Sequence, residues 1–276
     1  MLTPKRALAL SIDSGRPLPR VDGLEDLYRL GGGSGVTPRH GEVMMIAGRS
    51  GSQKSGFALW YVDSLDLPAL YFSADMSPAT ASARVASLRA GLTTEEVEYI
   101  MSPDGNPAQR AELEDLTQGS KIHFSFGNPI RWSQVDRELE AFVELHDSYP
   151  EVVVFDNLMD FDGADSEYAE QMAVMQDSTA LSREIGAATI VMHHASDKGW
   201  DARKDPFKPP SRDQVKGGLS EKPALSLSVS LDPDSLEFRI ACLKQRGGPS
   251  DPTAKRYATL IAQPQYTRFH NRRWRG

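Results

Sequence analysis

The sequence predicts an α/β fold, with a mostly parallel twisted sheet flanked by helices and an antiparallel hairpin at its C-terminal edge. Three observations support this prediction. Short apolar segments alternate with amphipathic ones, as strands alternate with helices in parallel sheets. The first apolar segment, 43–47, leads through a glycine-rich turn into a helical segment. Near the C-terminus, 225–231 and 236–242 alternate apolar and polar residues around a turn that contains Pro233.

The composition limits the class of protein. The chain has 276 residues, of which 39% are hydrophobic and 25% charged, so it can bury a sizeable globular core. Its net charge of −7 argues against a surface covered in positive charge for nucleic acid, but it allows a local basic patch. The single cysteine, Cys242, excludes an internal disulfide framework and fits a reducing cytosol. No apolar run approaches the roughly 18 residues of a membrane span, so we expect a soluble cytoplasmic protein.

The predicted helices and termini follow from local patterns. Residues 1–20 hold three prolines among scattered charges, and are interpreted as an extended arm on a neighbouring subunit or as a loose tail. Residues 21–30 have leucines at helical spacing and end at three glycines. Ser77 and Pro78 have the pattern of a helix start. Further helices are predicted at 56–62, 81–89, 132–145 and 166–185, with two acidic helices within 93–120.

Apolar runs predict the remaining strands at 67–73, 121–126, 151–156 and 188–194. The clearest is 151–156, where β-branched residues lead to an acid. A long polar loop is predicted at 195–222. The core domain is expected to span 21–262, followed by a basic and aromatic tail at 263–276.

The turn after the first strand has the form of a phosphate-binding loop. Its residues are Gly48, Arg49, Ser50, Gly51, Ser52, Gln53, Lys54, Ser55 and Gly56. Backbone N–H groups of such a loop point at a phosphate, and the following helix adds the positive end of its dipole. Lys54 is expected to reach the β- and γ-phosphates, and Ser55 to hold Mg²⁺. The pattern departs at Gln53, where glycine is usual because it has no Cβ.

Other polar residues fall at the carboxyl ends of predicted strands, where parallel sheets bind ligands. Asp156 is suited to hold Mg²⁺ through water, and Asp75 to orient and polarise an attacking water. Either His193 or His194 could sense the γ-phosphate. Taken singly, the acids could be helix caps or turn residues, and the histidines could be structural. Their coincidence points to one phosphate site.

Two cations near the C-terminus, Lys244 and Arg246, come too late in the chain to join this cluster. They suit a finger that reaches the nucleotide of a neighbouring subunit. The alternative is an ordinary exposed strand end.

Six segments, in order and at plausible spacing, carry a resemblance to a known family. The family is that of the DnaB-type hexameric replicative helicases. Gly41–Ser55 resembles its Walker A strand and loop, Ser73–Ser77 (SADMS) its S-L-E-M-S motif, and Val152–Asp156 its Walker B strand. Val191–Asp197 resembles its sensor segment, Asp213–Glu221 (DQVKGGLSE) its D-L-R-E-S-G-x-I-E segment, and Lys244–Pro249 (KQRGGP) its K-x-R-x-G-P motif. The resemblance extends from about Gly23 to Pro249 and covers the RecA-like ATPase domain of that family. The chain is similar especially to short phage-encoded versions that lack the N-terminal collar domain.

The resemblance implies a RecA-like P-loop core and a role for each matched position. Asp75 would be the catalytic base, one methylene shorter than the family's Glu. His194 falls on the sensor position better than His193. Arg246 would be the arginine finger, with Lys244 as its partner.

The resemblance also places DNA contacts in loops that face the central channel of a ring. The loop at 160–165 is acidic, whereas the loop from 198 to 222 is basic enough to follow a phosphate backbone. The candidate contacts are Arg203, Lys204, Lys208, Arg212 and Lys216. The tail at 268–275 interleaves cations with aromatics, which could grip a single strand or serve as a solubilising tail or docking peptide.

The implied function is an ATP-dependent DNA helicase motor that uses ATP and Mg²⁺ and moves along single-stranded DNA during phage replication. The implied assembly is a homo-oligomeric ring, expected to be a hexamer, with primase or a helicase loader as further partners. Two alternatives stay open. One is a RecA-like recombinase or recombination mediator, and the other is a loader-like nucleotide-binding protein in which Gln53 weakens turnover.

Overall fold

The computed structural model describes residues 15–32, 36–164, 168–196 and 205–271. In these residues nine strands form one mixed sheet. Within these residues the strands are β1 (Val43–Gly48), β2 (Ala69–Ser73), β3 (Ile122–Phe126), β4 (Val152–Asp156), β5 (Ala188–His194), β6 (Leu225–Leu231), β7 (Glu237–Gln245), β8 (Ala258–Gln263) and β9 (Arg268–Asn271). The helices are α1 (Glu25–Leu30), α2 (Lys54–Leu65), α3 (Pro78–Ala90), α4 (Thr94–Met101), α5 (Pro107–Gln118), α6 (Trp132–His146) and α7 (Tyr168–Ile185).

The strand order is β3-β2-β4-β5-β1-β6-β7-β8-β9. The first six strands in this order are parallel, and β7, β8 and β9 continue the sheet in antiparallel fashion. The predicted α/β fold is therefore confirmed, including the hairpin formed by β6 and β7. Two further strands, β8 and β9, extend the sheet beyond that hairpin. Because β1 lies between β5 and β6, its last residue, Gly48, is flanked by His194 and Val229.

The sheet is buried on both faces, which explains why its central strands are continuous apolar runs. Successive residues of a strand point to opposite faces. Thus Tyr71 and Val154 pack in the layer of α2, whereas Phe72 and Phe155 pack in the layer of α6 and α7. Removing a large buried ring such as that of Phe155, for example by substitution with Ala, costs about 3–5 kcal/mol.

Helices α3, α4 and α5 form a small satellite cluster, closed by short apolar side chains. Their ends follow from the sequence. The side chain of Ser77 accepts a hydrogen bond from the Thr80 amide, with Pro78 in the first turn, so the predicted helix start is confirmed. Gly91 ends α3 at φ +72°, a conformation that favours glycine.

The described parts of both termini pack on the domain. Residues 15–18 pair with 38–40 of the same chain, and Leu18 is buried in the core. At the other end, the segment interpreted as a tail forms β9 as far as Asn271. Phe269 of β9 is buried, with its ring 5.5 Å from that of Phe57 and 5.6 Å from that of Trp60. The rest of the predicted arm and tail, 1–14 and 272–276, lies outside the described residues.

The structure also bears on the prediction about membranes. In the described ranges, no helix combines the length and apolar character that crossing a bilayer requires.

Candidate active site

The glycine-rich loop connects β1 to α2 in a tight backbone path. A Cβ on Gly48 would lie 2.4 Å from the Ser52 hydroxyl oxygen and 2.9 Å from Cγ of Lys54, so this position needs glycine. Gln53 has φ 59° and ψ 29°, in the left-handed region. A residue with a Cβ costs about 1–2 kcal/mol more than glycine there. Gln53 therefore holds a conformation that favours glycine, at the cost of backbone strain.

Lys54 begins α2 and is only 9% exposed. Its Nζ lies 3.4 Å from the carbonyl oxygen of Arg49, and no carboxylate of the described residues lies within ion-pair distance of it. Burial lowers the pKa of Lys54, while the charges of Asp156 and Asp75 raise it. The buried hydroxyl of Ser52 also lacks a hydrogen-bond partner in the described structure. These two donors are thus left for an anion in the loop.

Asp156 ends β4 and is 2% exposed. Its carboxylate accepts a hydrogen bond from the Tyr71 hydroxyl, 2.9 Å from Oδ2, and the Ser55 hydroxyl lies close to it. Burial raises the pKa of Asp156, whereas the Ser55 and Tyr71 hydroxyls and the positive charge of Lys54 lower it. Ser55 and Asp156, which were both expected to hold Mg²⁺, therefore lie close together.

Asp75 lies exposed in the turn after β2, and its charge acts on Lys54 and Asp156. A third acid, Asp160, lies in the turn after β4, where it accepts a hydrogen bond from the Asn157 amide at 3.1 Å. Burial raises the pKa of Asp160, the Asn157 amide lowers it, and Asp75 raises it further. The sequence places Asp160 only in an acidic loop, whereas in the structure its carboxylate lies near enough to Asp75 for the two charges to interact.

The two histidines at the end of β5 point to opposite faces of the sheet. His193 is fully buried, and its Nε2 lies 3.0 Å from the carbonyl oxygen of Lys216. Burial lowers the pKa of His193 to about 4, so its ring is neutral at pH 7. His194 is partly exposed, and its Nε2 lies 3.2 Å from the side-chain nitrogen of Asn157, the residue after Asp156. Of the two, His194 is the one that joins the group at the end of β4.

Lys244 and Arg246 lie at the opposite end of the sheet from the loop of their own chain. Gln245 pairs with Leu225, whereas Gly48 pairs with Val229 four residues further along β6. Four residues of strand span about 13 Å. The structure therefore does not bring these cations to the loop of the same chain.

The contacts of the two cations are local. Lys244 Nζ donates to the carbonyl oxygens of Pro223, at 2.7 Å, and Glu221. Burial lowers the pKa of Lys244, and the nearby charge of Arg246 lowers it further. The guanidinium of Arg246 is 58% exposed and lies 3.3 Å from a carboxylate oxygen of Glu42.

The candidate DNA contacts are only partly described, because Arg203 and Lys204 lie in the range 197–204, outside the described residues. Arg212 is exposed and lies 3.7 Å from a carboxylate oxygen of Glu221. Lys216 is exposed, and its charge lowers the pKa of Lys54. Lys216 therefore lies near the glycine-rich loop itself.

One loop residue contacts this basic segment directly. The guanidinium of Arg49 donates to the carbonyl oxygens of Pro206 and Lys208, at 3.0 and 2.9 Å, and to the side-chain oxygen of Gln214 at 3.4 Å. Arg49 was expected only to bind nucleotide. The sequence signal for this contact, a lone cation in a glycine-rich turn, does not name a partner.

A glycine-rich loop between the first strand and its helix, at the carboxyl edge of a parallel sheet with an antiparallel C-terminal extension, defines the RecA-like P-loop fold. The chain belongs to the AAA domain family, whose sequence profile matches residues 35–199.

Two curated relatives are similar over most of their length. The Gene 65 protein of Mycobacterium phage L5 is 26% identical over 273 residues, which cover 94% of this chain and 95% of the relative. The Gene 65 protein of Mycobacterium phage D29 is 26% identical over 228 residues, covering 79% of this chain and 94% of the relative.

Two solved structures share the fold at 14% sequence identity. The first, an isolated ATPase domain of the DnaB-like replicative helicase type, aligns with a TM-score of 0.74, covering 97% of this chain and 95% of that domain. The second, a DnaB-like replicative helicase described with its interactions with primase, aligns with a TM-score of 0.75, covering 96% of this chain and 65% of the helicase. The expected likeness to the ATPase domains of DnaB-type helicases is therefore confirmed.

Proposed function

We propose that this protein is an ATP-dependent DNA helicase motor that hydrolyses ATP and moves along single-stranded DNA. The observation that carries the proposal is the position of Lys54, a buried cation without an ion-paired carboxylate in the described structure, beside the Ser55–Asp156 pair. A buried positive charge is costly unless an anion compensates it. A triphosphate in the glycine-rich loop supplies that anion.

The donor set at this site fits Mg²⁺. Ser55 and Asp156 offer a hydroxyl and a carboxylate, the hard oxygen ligands that Mg²⁺ takes together with water and phosphate. When bound, Mg²⁺ neutralises charge on the transferring phosphoryl group. Ser55 and Asp156 would hold the ion, Lys54 would bind the phosphates, and Asp75 would orient the attacking water. His194 would link the state of the γ-phosphate to the end of β5.

The site would be completed by a neighbouring subunit. Arg246 is exposed at the far end of the sheet, so it is available to an adjacent copy of the chain, with Lys244 beside it. An arginine finger supplied in this way stabilises the charge of the transition state. We therefore propose a homo-oligomeric ring, a hexamer by analogy with the replicative helicases. Primase is a candidate partner because the similar helicase structure is described with its interactions with primase.

Single-stranded DNA is the proposed track, and the basic segment between β5 and β6 is its proposed contact. Arg203, Lys204, Lys208, Arg212 and Lys216 would follow the phosphate backbone by charge. The mycobacteriophage relatives support action in the cytoplasm of a phage-infected bacterium. A role in DNA replication is supported by the likeness to replicative helicase domains.

A second candidate function is a loader-like nucleotide-binding protein with weak turnover. The strained left-handed conformation of Gln53 favours it, because strain in the loop can weaken phosphate binding.

Phosphate release with and without single-stranded DNA, followed by unwinding of a forked duplex, tests the proposal. The wild type should hydrolyse ATP faster with DNA and separate the fork, whereas Lys54→Ala should lose about 100-fold or more in turnover. Lys255→Ala, which removes an exposed lysine elsewhere, should match the wild type. Nucleotide binding without turnover would favour the loader-like function. Full activity of Lys54→Ala would contradict the site.

A further inference from the structure

We propose that Tyr71 is a positioning residue for the magnesium-binding carboxylate, which it holds in one orientation through its hydroxyl group. This inference rests on the function proposed above and deepens it. Tyr71 is 0% exposed, and its hydroxyl lies 2.9 Å from Oδ2 of Asp156, which is itself buried.

The contact is built into the pairing of β2 with β4. Tyr71 pairs with Val154, and Ser73 pairs with Asp156 at the ends of the same strands. Because side chains alternate across a sheet, Tyr71, Val154 and Asp156 share one face. Tyr71 therefore lies two residues behind Asp156 on the neighbouring strand, and its phenol points along the sheet towards the carboxylate. The ring of Phe124, 5.4 Å away on β3, packs against that of Tyr71 from the other side.

The energetics favour a retained hydrogen bond. A buried phenol O–H requires an acceptor, and a buried carboxylate requires donors, so each group satisfies a need of the other. Oδ2 of Asp156 is engaged by Tyr71, while the Ser55 hydroxyl and the charge of Lys54 approach the carboxylate from the loop. Removing the phenol oxygen leaves the ligand in place but frees the carboxylate to rotate.

The proposal makes a selective prediction. Tyr71 should affect the steps that use the oriented carboxylate, and not the grip of the loop on phosphate. Hydrogen-bond partners behind metal ligands typically contribute 10–100-fold to metal affinity. Tyr61 provides a matched control, because it is also a buried tyrosine of the same core layer but lies on α2 beside Tyr28.

The test measures binding of a fluorescent, non-hydrolysable ATP analogue by anisotropy, in EDTA and across a Mg²⁺ titration. Tyr71→Phe should leave binding in EDTA unchanged and raise the half-saturating Mg²⁺ concentration about tenfold. Tyr71→Met, which also removes the hydroxyl, should reproduce the effect if the Phe variant proves unstable. Tyr61→Phe should behave as the wild type, and thermal unfolding should confirm that each variant is folded.

The outcomes separate this inference from the proposed function. An unchanged Mg²⁺ requirement in a folded Tyr71→Phe protein overturns the role of Tyr71 alone. An equal loss of affinity in EDTA and in Mg²⁺ also overturns it, because the hydroxyl would then support the pocket and not the carboxylate. Failure of the wild type to bind the analogue overturns the proposed function, and this inference with it.

Discussion

The guanidinium of Arg49 donates a hydrogen bond to the carbonyl oxygen of Lys208, 2.9 Å away, and so joins the glycine-rich loop to the basic segment before β6. The same side chain also contacts Pro206 and Gln214. Gln214 in turn accepts hydrogen bonds from the backbone and side chain of Ser211. A movement of the loop at Arg49 would therefore change hydrogen bonds to the segment that is proposed to contact DNA.

Arg49→Ala should loosen this segment. The variant loses the three hydrogen bonds that Arg49 makes to Pro206, Lys208 and Gln214, each worth about 0.5–1.5 kcal/mol, and so removes a donor from two backbone carbonyls. Hydrogen–deuterium exchange should then become faster in peptides covering 205–214. Arg256→Ala, which removes an exposed arginine near Asp251, should leave that exchange unchanged. Equal protection in Arg49→Ala and the wild type would contradict the link.

Gln53→Gly should relieve backbone strain in the loop. Glycine avoids about 1–2 kcal/mol of left-handed strain but costs about 0.4–1 kcal/mol through the entropy of the unfolded chain, so the expected net gain is roughly 0.5 kcal/mol. Urea unfolding measures this gain. Asp147→Gly, at φ 54° after α6, should give a similar gain in stability. Only Gln53→Gly should also change nucleotide affinity, and an effect of both variants on affinity would argue against a local cause.

Acidification should destabilise the fold through His193. Its pKa is about 4 in the folded chain and 6.5 for an ordinary histidine. Below pH 6.5 the ring of His193 therefore binds a proton in the unfolded chain but stays neutral in the folded chain. The loss is about 1.5–2 kcal/mol between pH 7.5 and 5, and it levels off near pH 4. Urea unfolding at several pH values should show a smaller acid loss in His193→Gln, whereas His194→Gln should keep it. The same pH dependence in His193→Gln and the wild type would contradict this assignment.

Mixing two inactive variants tests the proposed site between subunits. Lys54→Ala inactivates the phosphate-binding loop of a subunit. Arg246→Ala inactivates the arginine finger that a subunit supplies to its neighbour. In rings assembled at random from equal amounts, about a quarter of the sites combine an intact loop with an intact finger. ATP hydrolysis by the mixture should recover towards that fraction. A mixture no more active than either variant alone would mean that both residues act within one subunit.

Much of the fold could be predicted because its signals are local. The β-branched run before Asp156 and the glycine-rich turn before Lys54 each depend on neighbouring residues, and both predicted elements are confirmed. The strands β8 and β9 were not predicted. In β9 only Phe269 is fully buried, so the short segment resembles a basic tail when its pairing partner is unknown.

The contacts of the candidate site were harder to predict because they depend on tertiary neighbours. Tyr71 has the pattern of a core aromatic, and its role follows only from the pairing of β2 with β4. The resemblance favours His194 over His193 as the sensor, and that role stays a prediction. The physical distinction between the two rings, one buried against Lys216 and one facing Asn157, needs the structure. The roles proposed for Asp75 and Arg246 stay predictions.

Strand β7 connects the surroundings of the glycine-rich loop to Arg246. At one end Arg239 donates to the carbonyl oxygen of Phe207, beside the segment that Arg49 contacts, and at the other end the strand leads directly to Arg246. Its nine residues form a stiff strut about 30 Å long within the sheet. In the proposed ring, each subunit would therefore move as a rigid body. A rotation of a few degrees on binding its own nucleotide would move Arg246 within the nucleotide site of the neighbouring subunit. Neighbouring sites would then hydrolyse ATP in sequence and not independently.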